Sequence, residues 1–333
     1  MNTSPSEKRI MQALLIDGAL SRKKLAEKLD LTGAALTFGS QNLLKYGYIK
    51  ENGSLVRKKA GRRETDIAIN GDGASLLGIS CLDSGFHLSF TDLRGDCFIS
   101  KTFASISEAA TYAKNAVKGV PTPLGLCVCL PSYDGYESLK KKDPEFVKEI
   151  ESLELKTYYV DDVEALAYVN ELYHPEEKNF LLINSSKQIS SSAFVASHIV
   201  KGHDGEKSDI GNWLVRHGTM LRDELSFENL LGRDYDDVNE GFEALAKDEK
   251  ALSRYLIAIA MCIVNANYLL SLDTVVLSGY LYVSHAEVVD SLRNIVKTID
   301  PSFKTERIVP FDDFAEVDDK KASLQVFAYE FLG

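Results

Sequence analysis

The chain has 333 residues, of which 45% are hydrophobic and 26% charged. That size serves two or three domains, each with its own core. The composition excludes a disordered chain, a collagen and a small disulfide scaffold. No run of about 18 apolar residues occurs, so no bilayer span is expected. The amino-terminal stretch lacks the unbroken apolar core of a signal peptide. Five scattered cysteines fit free thiols in a reducing cytoplasm. Charge is uneven: residues 1–66 hold 13 Lys and Arg against 7 Asp and Glu, a net of +6, while the remainder nets −17. A basic head can approach a polyanion that the acidic body repels.

In the head, Ser6 reads as the N-cap of a helix that buries Ile10, Ala13 and Leu14 and stops at Gly18. Ser21 caps a second helix, Arg22–Leu29, with Leu25 and Leu29 on one face. Asp30 and Leu31 turn the chain. Thr32 then caps a third helix over residues 33–46, which buries Leu36, Leu43 and Leu44 and ends at Gly47. Asn52-Gly53 is a type I′ turn dipeptide, which predicts a tight hairpin within residues 48–58.

Three short helices, a tight second turn and a basic hairpin make a winged helix-turn-helix. Its third helix would enter a major groove, presenting Gly33, Ala34, Thr37, Phe38 and Gln41 behind the Thr32 cap. Gln41 can pair with adenine, and Thr37 can meet a phosphate or a base. Arg57, Lys58, Lys59, Arg62 and Arg63 suit phosphates or an arm in the minor groove, and Lys23 and Lys24 suit phosphates. Gly33 and Gly39 each cost the third helix about 1 kcal/mol against Ala. The plainer reading is a small helical subdomain with a solvated cationic face. Element order, turn lengths, hairpin and charge together favour double-stranded DNA.

The body alternates strands and helices. Strands at 75–82, 87–93 and 97–103 form a meander. A helix near 107–117, a strand at 124–130, a helix near 143–153 and a strand at 157–160 follow, and Asp161-Asp162 opens the next helix. A second round starts at 179–184, continues through an extended pair to residue 200, and passes a helical stretch over 221–270. That stretch contains a long core helix with Leu256, Ile259, Ile263, Val264 and Leu270, and a strand at 275–280 comes next. Two similar α/β lobes with mixed sheets are expected, with the cleft between them as the default ligand site. The expected domains are 1–66, the head with its basic linker; 67–175, the first lobe, with a C-terminal helix 319–333 packing back; and 176–318, the second lobe.

The segment LTGAALTFGSQNLLKYGYIKENG resembles the recognition helix and wing of the ROK family of repressors and sugar kinases, and AGRRETDIAIN resembles its linker. LLGISCLDSGF resembles the family's first phosphate-loop strand, GLCVCLPSYDG its strand ending in Pro-Gly, and YYVDDVEALAYVNE its strand–Asn-Asp–helix element. FLLINSSKQISSSAFVASHIVKGHDGEKSDIGN resembles the second phosphate hairpin, and LLSLDTVVLSGY the helix–strand carrying nucleotide-site glycines. The resemblance covers nearly the whole chain. It implies an α/β protein: an N-terminal winged helix-turn-helix plus a two-lobed actin/hexokinase-like (ribonuclease H-like) body.

The departures from the family pattern are chemical. Its kinases read Gly-Ile-Asp-Ile-Gly-Gly-Thr at the first loop. Here Gly78-Ile79-Ser80-Cys81-Leu82-Asp83-Ser84 lacks the carboxylate and both glycines, which let backbone N–H groups close on a phosphate. Ser186, Gln188, Ser190 and Ser192 replace the alternating glycines of the second loop, and only Gly279 stands beside Ser278 at the third cluster. ATP binding is therefore not expected, and no cofactor is implied. The family's zinc set of one His and three Cys shrinks to His217, too few donors for a tetrahedral site. Cys127-x-Cys129 reads as core thiols on an apolar strand.

The family's Asn-Asp pair, whose Asp is the kinase base, matches Asp161-Asp162. Asp161 with Glu164 reads equally as a capping box. The family's Glu-Ile-Gly-His matches Asp209-Ile210-Gly211-Asn212, and its last glutamate aligns with Glu224. These residues form either a retuned pocket for a hydroxylated ligand or the vestige of one. The resemblance thus implies a transcriptional repressor with a catalytically dead body. That body dimerises, sets two heads on the half-sites of one operator and senses a sugar or sugar derivative. The alternatives are a ROK sugar kinase with a regulatory head, and a ligand-independent scaffold that pairs the heads.

Overall fold

A computed structural model describes residues 3–52, 65–82, 85–131, 141, 144–203, 207–215, 218–311 and 314–331. Arg57, Lys58, Lys59, Arg62, Arg63 and His217 lie outside the described residues. The chain forms two units, Met1–Tyr173 with Asp318–Gly333, and His174–Val317.

The first unit begins with the head. Helix α1 (Pro5–Asp17) is capped by Ser4 rather than Ser6. Pro5 presets φ at the first helical position. Ser4 N donates to Glu7 Oε2 at 2.8 Å and Glu7 N donates to Ser4 Oγ at 3.3 Å, closing a capping box that Ser6 has no partner to form. Ser4→Ala is expected to cost about 1 kcal/mol, read as a lower urea midpoint. Strand β1 (Leu20–Ser21) precedes α2 (Arg22–Leu29) and α3 (Gly33–Lys45), capped by Ser21 and Thr32. Ile10, Ala13, Leu14, Leu25, Leu29, Leu36 and Leu43 are buried as their spacing predicts, and Leu44 is partly buried. Gly39 lies on α1, where a Cβ would stand 3.0 Å from Ile10 Cδ1. Its missing side chain lets the two helices close, which offsets its poor helix propensity.

Asn52 does not take the positive φ of a type I′ turn, and Gly53 with residues 54–58, the rest of the expected hairpin, lies outside the described residues. Strand β2 (Ile49–Asn52) pairs antiparallel with β3 (Asp66–Ile69), Asn52 opposite Asp66, and β1 takes the other edge of β3. The head sheet also runs to Ile69, past the boundary expected at residue 66.

The rest of the unit is a mixed sheet of β4 (Ser75–Leu82), β5 (Gly85–Asp92), β6 (Cys97–Phe103), β7 (Pro123–Leu130) and β8 (Thr157–Asp161), ordered β6-β5-β4-β7-β8. β4, β5 and β6 pair antiparallel, and β4, β7 and β8 parallel. Parallel neighbours need helical crossovers, here α4 (Ile106–Ala116) and α5 (Pro144–Glu151), with α6 (Asp162–Tyr173) leaving β8.

The second unit repeats the plan: β9 (Phe180–Ser185), β10 (Ile189–Val195), β11 (His198–Ile199), β12 (Thr274–Ser278) and β13 (Ile308–Pro310), ordered β11-β10-β9-β12-β13. Its helices are α7 (Leu221–Glu224), α8 (Phe227–Leu231), α9 (Val238–Lys247), α10 (Glu249–Leu270), α11 (Tyr280–Ser284) and α12 (Ala286–Ile299). By length and composition α10 is apolar enough to cross a membrane. Its Tyr255, Leu256, Ile259 and Ile263 instead form the middle of this unit's core.

The last helix, α13 (Phe314–Phe331), belongs to the first unit from Asp318 onward. Gly78 on β4 faces it so closely that a Cβ would stand 2.2 Å from Ser323 N. Gln325 Nε2 donates to Ala165 O at 2.8 Å, and Tyr329 stacks on Tyr158 with centroids 4.5 Å apart. The head shares one core with this helix: the Tyr48 ring meets Phe331 edge-on at 5.7 Å, and Thr3 Oγ1 donates to Glu330 O at 2.6 Å. The Glu330 carboxylate accepts from Lys156 Nζ at 2.7 Å and Tyr158 Oη at 2.6 Å. Burial pushes its pKa upward, and these two bonds outweigh it and hold the group below the usual carboxylate range.

Candidate nucleic-acid interface and ligand pocket

The cap at Thr32 fixes where α3 starts, and the start fixes which side chains face out. Leu36, Gly39, Ser40 and Leu43 form the buried face. Thr32, Gly33, Ala34, Thr37, Phe38 and Gln41 are exposed, as are Lys23 and Lys24 at the start of α2. Thr37 Oγ1 donates to Gly33 O at 2.7 Å, and Asn42 Nδ2 is held by Glu7 Oε1 at 2.8 Å. Lys45, one turn beyond Gln41 on the same row, is exposed too. Its helical spacing from Gln41 was the signal that would have found it. Arg22 pairs with Glu51 at 2.9 Å and Lys28 pairs with Asp17, exposed ion pairs of small worth that trim the head's positive field.

The residues expected at a ligand are placed as follows. In the first unit, Asp161 Oδ1 accepts from Glu164 N at 2.7 Å, so Asp161 caps α6. Asp162 Oδ1 accepts from Val163 N at 2.8 Å. In the second unit, Asp209 Oδ1 accepts from Ser191 N at 2.9 Å, Ser191 Oγ at 3.3 Å and Gly211 N at 2.8 Å. It thereby ties the short 3-10 turn Ile210–Asn212 to β10, and Asn212 is exposed on that turn. Asp209→Ala is expected to cost about 2 kcal/mol by leaving these donors without an acceptor, measured as a thermal shift. An unchanged melting temperature would mean that Asp209 holds nothing in place.

Glu224 sits elsewhere in the second unit. It pairs with Arg254 at 3.2 Å and accepts from Asn229 Nδ2 at 3.2 Å. Both members of the pair line a 420 Å³ cavity with Trp213, Met261, Cys262 and Asn265. Burial pushes the Cys262 thiol up to about 11, so it stays protonated. Of these, the sequence had singled out only Glu224. Trp213, Arg254 and Asn265 reach the cavity through tertiary folding and carry no local motif.

At two positions that align with the phosphate loops, glycines pack against the protein's own backbone. Gly78 faces α13, and Gly279, at φ +108, lies against Ser185, whose carbonyl oxygen would be 2.1 Å from a Cβ. Ser185 Oγ and Tyr255 Oη are 2.5 Å apart. The cavity beside the β9–β10 turn measures 10 Å³, lined by Phe227, Phe242 and Tyr255 among others. The residues do not fit zinc: the stretch from Asn212 to Gly232 holds no cysteine. Among the described residues no group of His, Cys, Asp and Glu could hold a metal ion. Cys127 and Cys129 are buried core thiols, and burial pushes Cys127 well up.

No family profile and no curated protein matches the sequence. Solved structures do match. A ROK family transcriptional regulator, a homologue of the E. coli MLC protein, superposes with a TM-score of 0.68 over 98% of both chains at 14% identity. A ROK family protein from Streptococcus pneumoniae, solved in complex with sucrose, matches with a TM-score of 0.62 at 14% identity, over 78% of this chain and 100% of its own. The ROK hexokinase from Thermus thermophilus gives the same values. The share of this chain that the last two leave uncovered is close to the length of the head. The fold is the one these ROK family structures share: here a head of three helices and a small sheet stands ahead of a duplicated α/β body.

Proposed function

We propose that the protein is a DNA-binding transcriptional repressor of the reducing cytoplasm, whose body does not phosphorylate sugars. The observation that carries this reading is α3, exposed along its outer row with Lys23 and Lys24 exposed beside it on a head of net charge +6. Thr32, Gly33, Ala34, Thr37, Phe38 and Gln41 would meet the major groove. Arg57, Lys58, Lys59, Arg62 and Arg63 would hold phosphates or the minor groove. The regulator's coverage of the whole chain supports the same reading. Against kinase chemistry stand the missing loop glycines and the missing first-loop carboxylate.

Two heads on one operator need a second copy of the chain. The outer face of α10 suits that contact. Ile257, Met261, Tyr268 and Leu269 are 40%, 52%, 71% and 75% exposed, more apolar surface than one helix usually leaves to water. The effector is a sugar or sugar derivative, and the second unit's cavity, where Glu224 pairs with Arg254, would take it; the sucrose-bound neighbour is consistent with that class.

The test is selection of duplexes from a random-sequence pool by the full-length protein. A shared sequence arranged as an inverted repeat is expected. Failure to enrich any sequence would reject the reading. Incubation with ATP and a panel of hexoses and N-acetylhexosamines is expected to give no ADP. Turnover abolished by Asp162→Asn would establish the kinase instead.

A further inference from the structure

We infer that α3 reads thymine through the methyl group on its major-groove edge, with Phe38 as the residue that sets this preference. The inference rests on the proposal that the head docks on DNA, and it names what the head selects there.

Hydrogen-bonding readout is depleted along the first two turns of the helix. Gly33 and Ala34 have no polar side-chain atom. The Thr37 hydroxyl proton is committed to Gly33 O at 2.7 Å, and Thr32 Oγ1 accepts from Ala35 N at 3.2 Å. Ser40 is buried and donates to Thr37 O. What the helix presents there is apolar: the Ala34 methyl and, one turn later, a phenyl ring that is 63% exposed. Gly33 has open space around it, with nothing within 4 Å of a Cβ position, so the backbone can approach a base edge. Gln41 and Lys45 follow as the polar part of the row.

Burying a phenyl ring is favourable wherever a partner supplies apolar surface. The exposed lysines of α2 and the net charge of +6 point to a polyanionic partner rather than an apolar protein groove. On the floor of the major groove the one apolar feature is the thymine 5-methyl, which Ala and Phe side chains can cover.

The test uses the full-length protein and the duplex it selects. Each thymine is replaced in turn by deoxyuridine, which removes the methyl and leaves base pairing intact. One or two positions in each half-site are expected to lose affinity by about fourfold, the worth of one buried methyl. Phe38→Ala is expected to fold as the parent does, since the ring is exposed, and to bind thymine and deoxyuridine duplexes alike. Gln41→Ala is expected to keep the difference. If no thymine is sensitive, or if Phe38→Ala retains the sensitivity, the inference is overturned while DNA binding stands. If no duplex is selected at all, both fall together.

Discussion

Gly78→Ala is expected to destabilise the first unit by about 3 kcal/mol, the upper range for overpacking. The added Cβ would stand 2.2 Å from Ser323 N and 2.7 Å from Ala322 C, both backbone atoms of α13. No rotamer change relieves such a contact, so strand β4 or the helix must shift. The helix carries Phe327 and Phe331 into the same core as Tyr48 and Leu43 of the head, so the shift reaches the DNA-binding module. Equilibrium urea unfolding measures the loss as a lower midpoint at unchanged slope. Gly33→Ala is the control. Nothing lies within 4 Å of its Cβ position, and its midpoint should stay level or rise slightly. If the two variants were equally stable, the close approach of β4 and α13 would be wrong.

Lys23→Ala with Lys24→Ala is expected to weaken binding to every duplex sequence by a similar factor. The slope of log affinity against log salt should shrink by about 2, because each lysine that meets a phosphate releases about one counterion. Both side chains are exposed at the start of α2, so the fold should not change. Their loss also removes positive charge from a helix N-terminus, which is mildly stabilising. Fluorescence anisotropy across a salt series reads the slope directly. An unchanged slope would place the phosphate contacts elsewhere.

The parts of the fold that were legible in the sequence are those set by near neighbours. Ser21 and Thr32 each stand immediately before a helix and accept from a backbone N–H within it, so their positions could be read from spacing alone. Ser6 misled because Ser4 lies two residues earlier, and only Pro5 together with Glu7 decides between them. Asn52-Gly53 misled for the opposite reason. Asn52 pairs instead with a partner strand, Asp66–Ile69, that lies beyond the segment read as a hairpin. The duplicated order of the two sheets was visible as two rounds of strand and helix, because each round is a local pattern.

The site was less legible. Gly78 opens the stretch that resembles the family's first phosphate loop, yet its environment is the backbone of α13, from the far end of the chain. The Asp209 carboxylate was read as a ligand group, and its Oδ1 is occupied by three donors of its own unit. Asp161 had two readings, and the hydrogen bond from Glu164 N accounts for the capping one. The cavity beside Glu224 needed Trp213 and Arg254, which no sequence pattern links. Helix caps and buried stripes repeat at short range, whereas pockets are assembled from segments with no common period.

The most direct measurement is photo-cross-linking from the third helix. A benzophenone side chain at position 41 of the full-length protein, bound to its selected duplex, is expected to cross-link to bases within each half-site. The same group at position 257, on the outer face of α10, should give no DNA adduct. Adducts from position 257, or none from position 41 on a duplex that is bound, would contradict docking through α3.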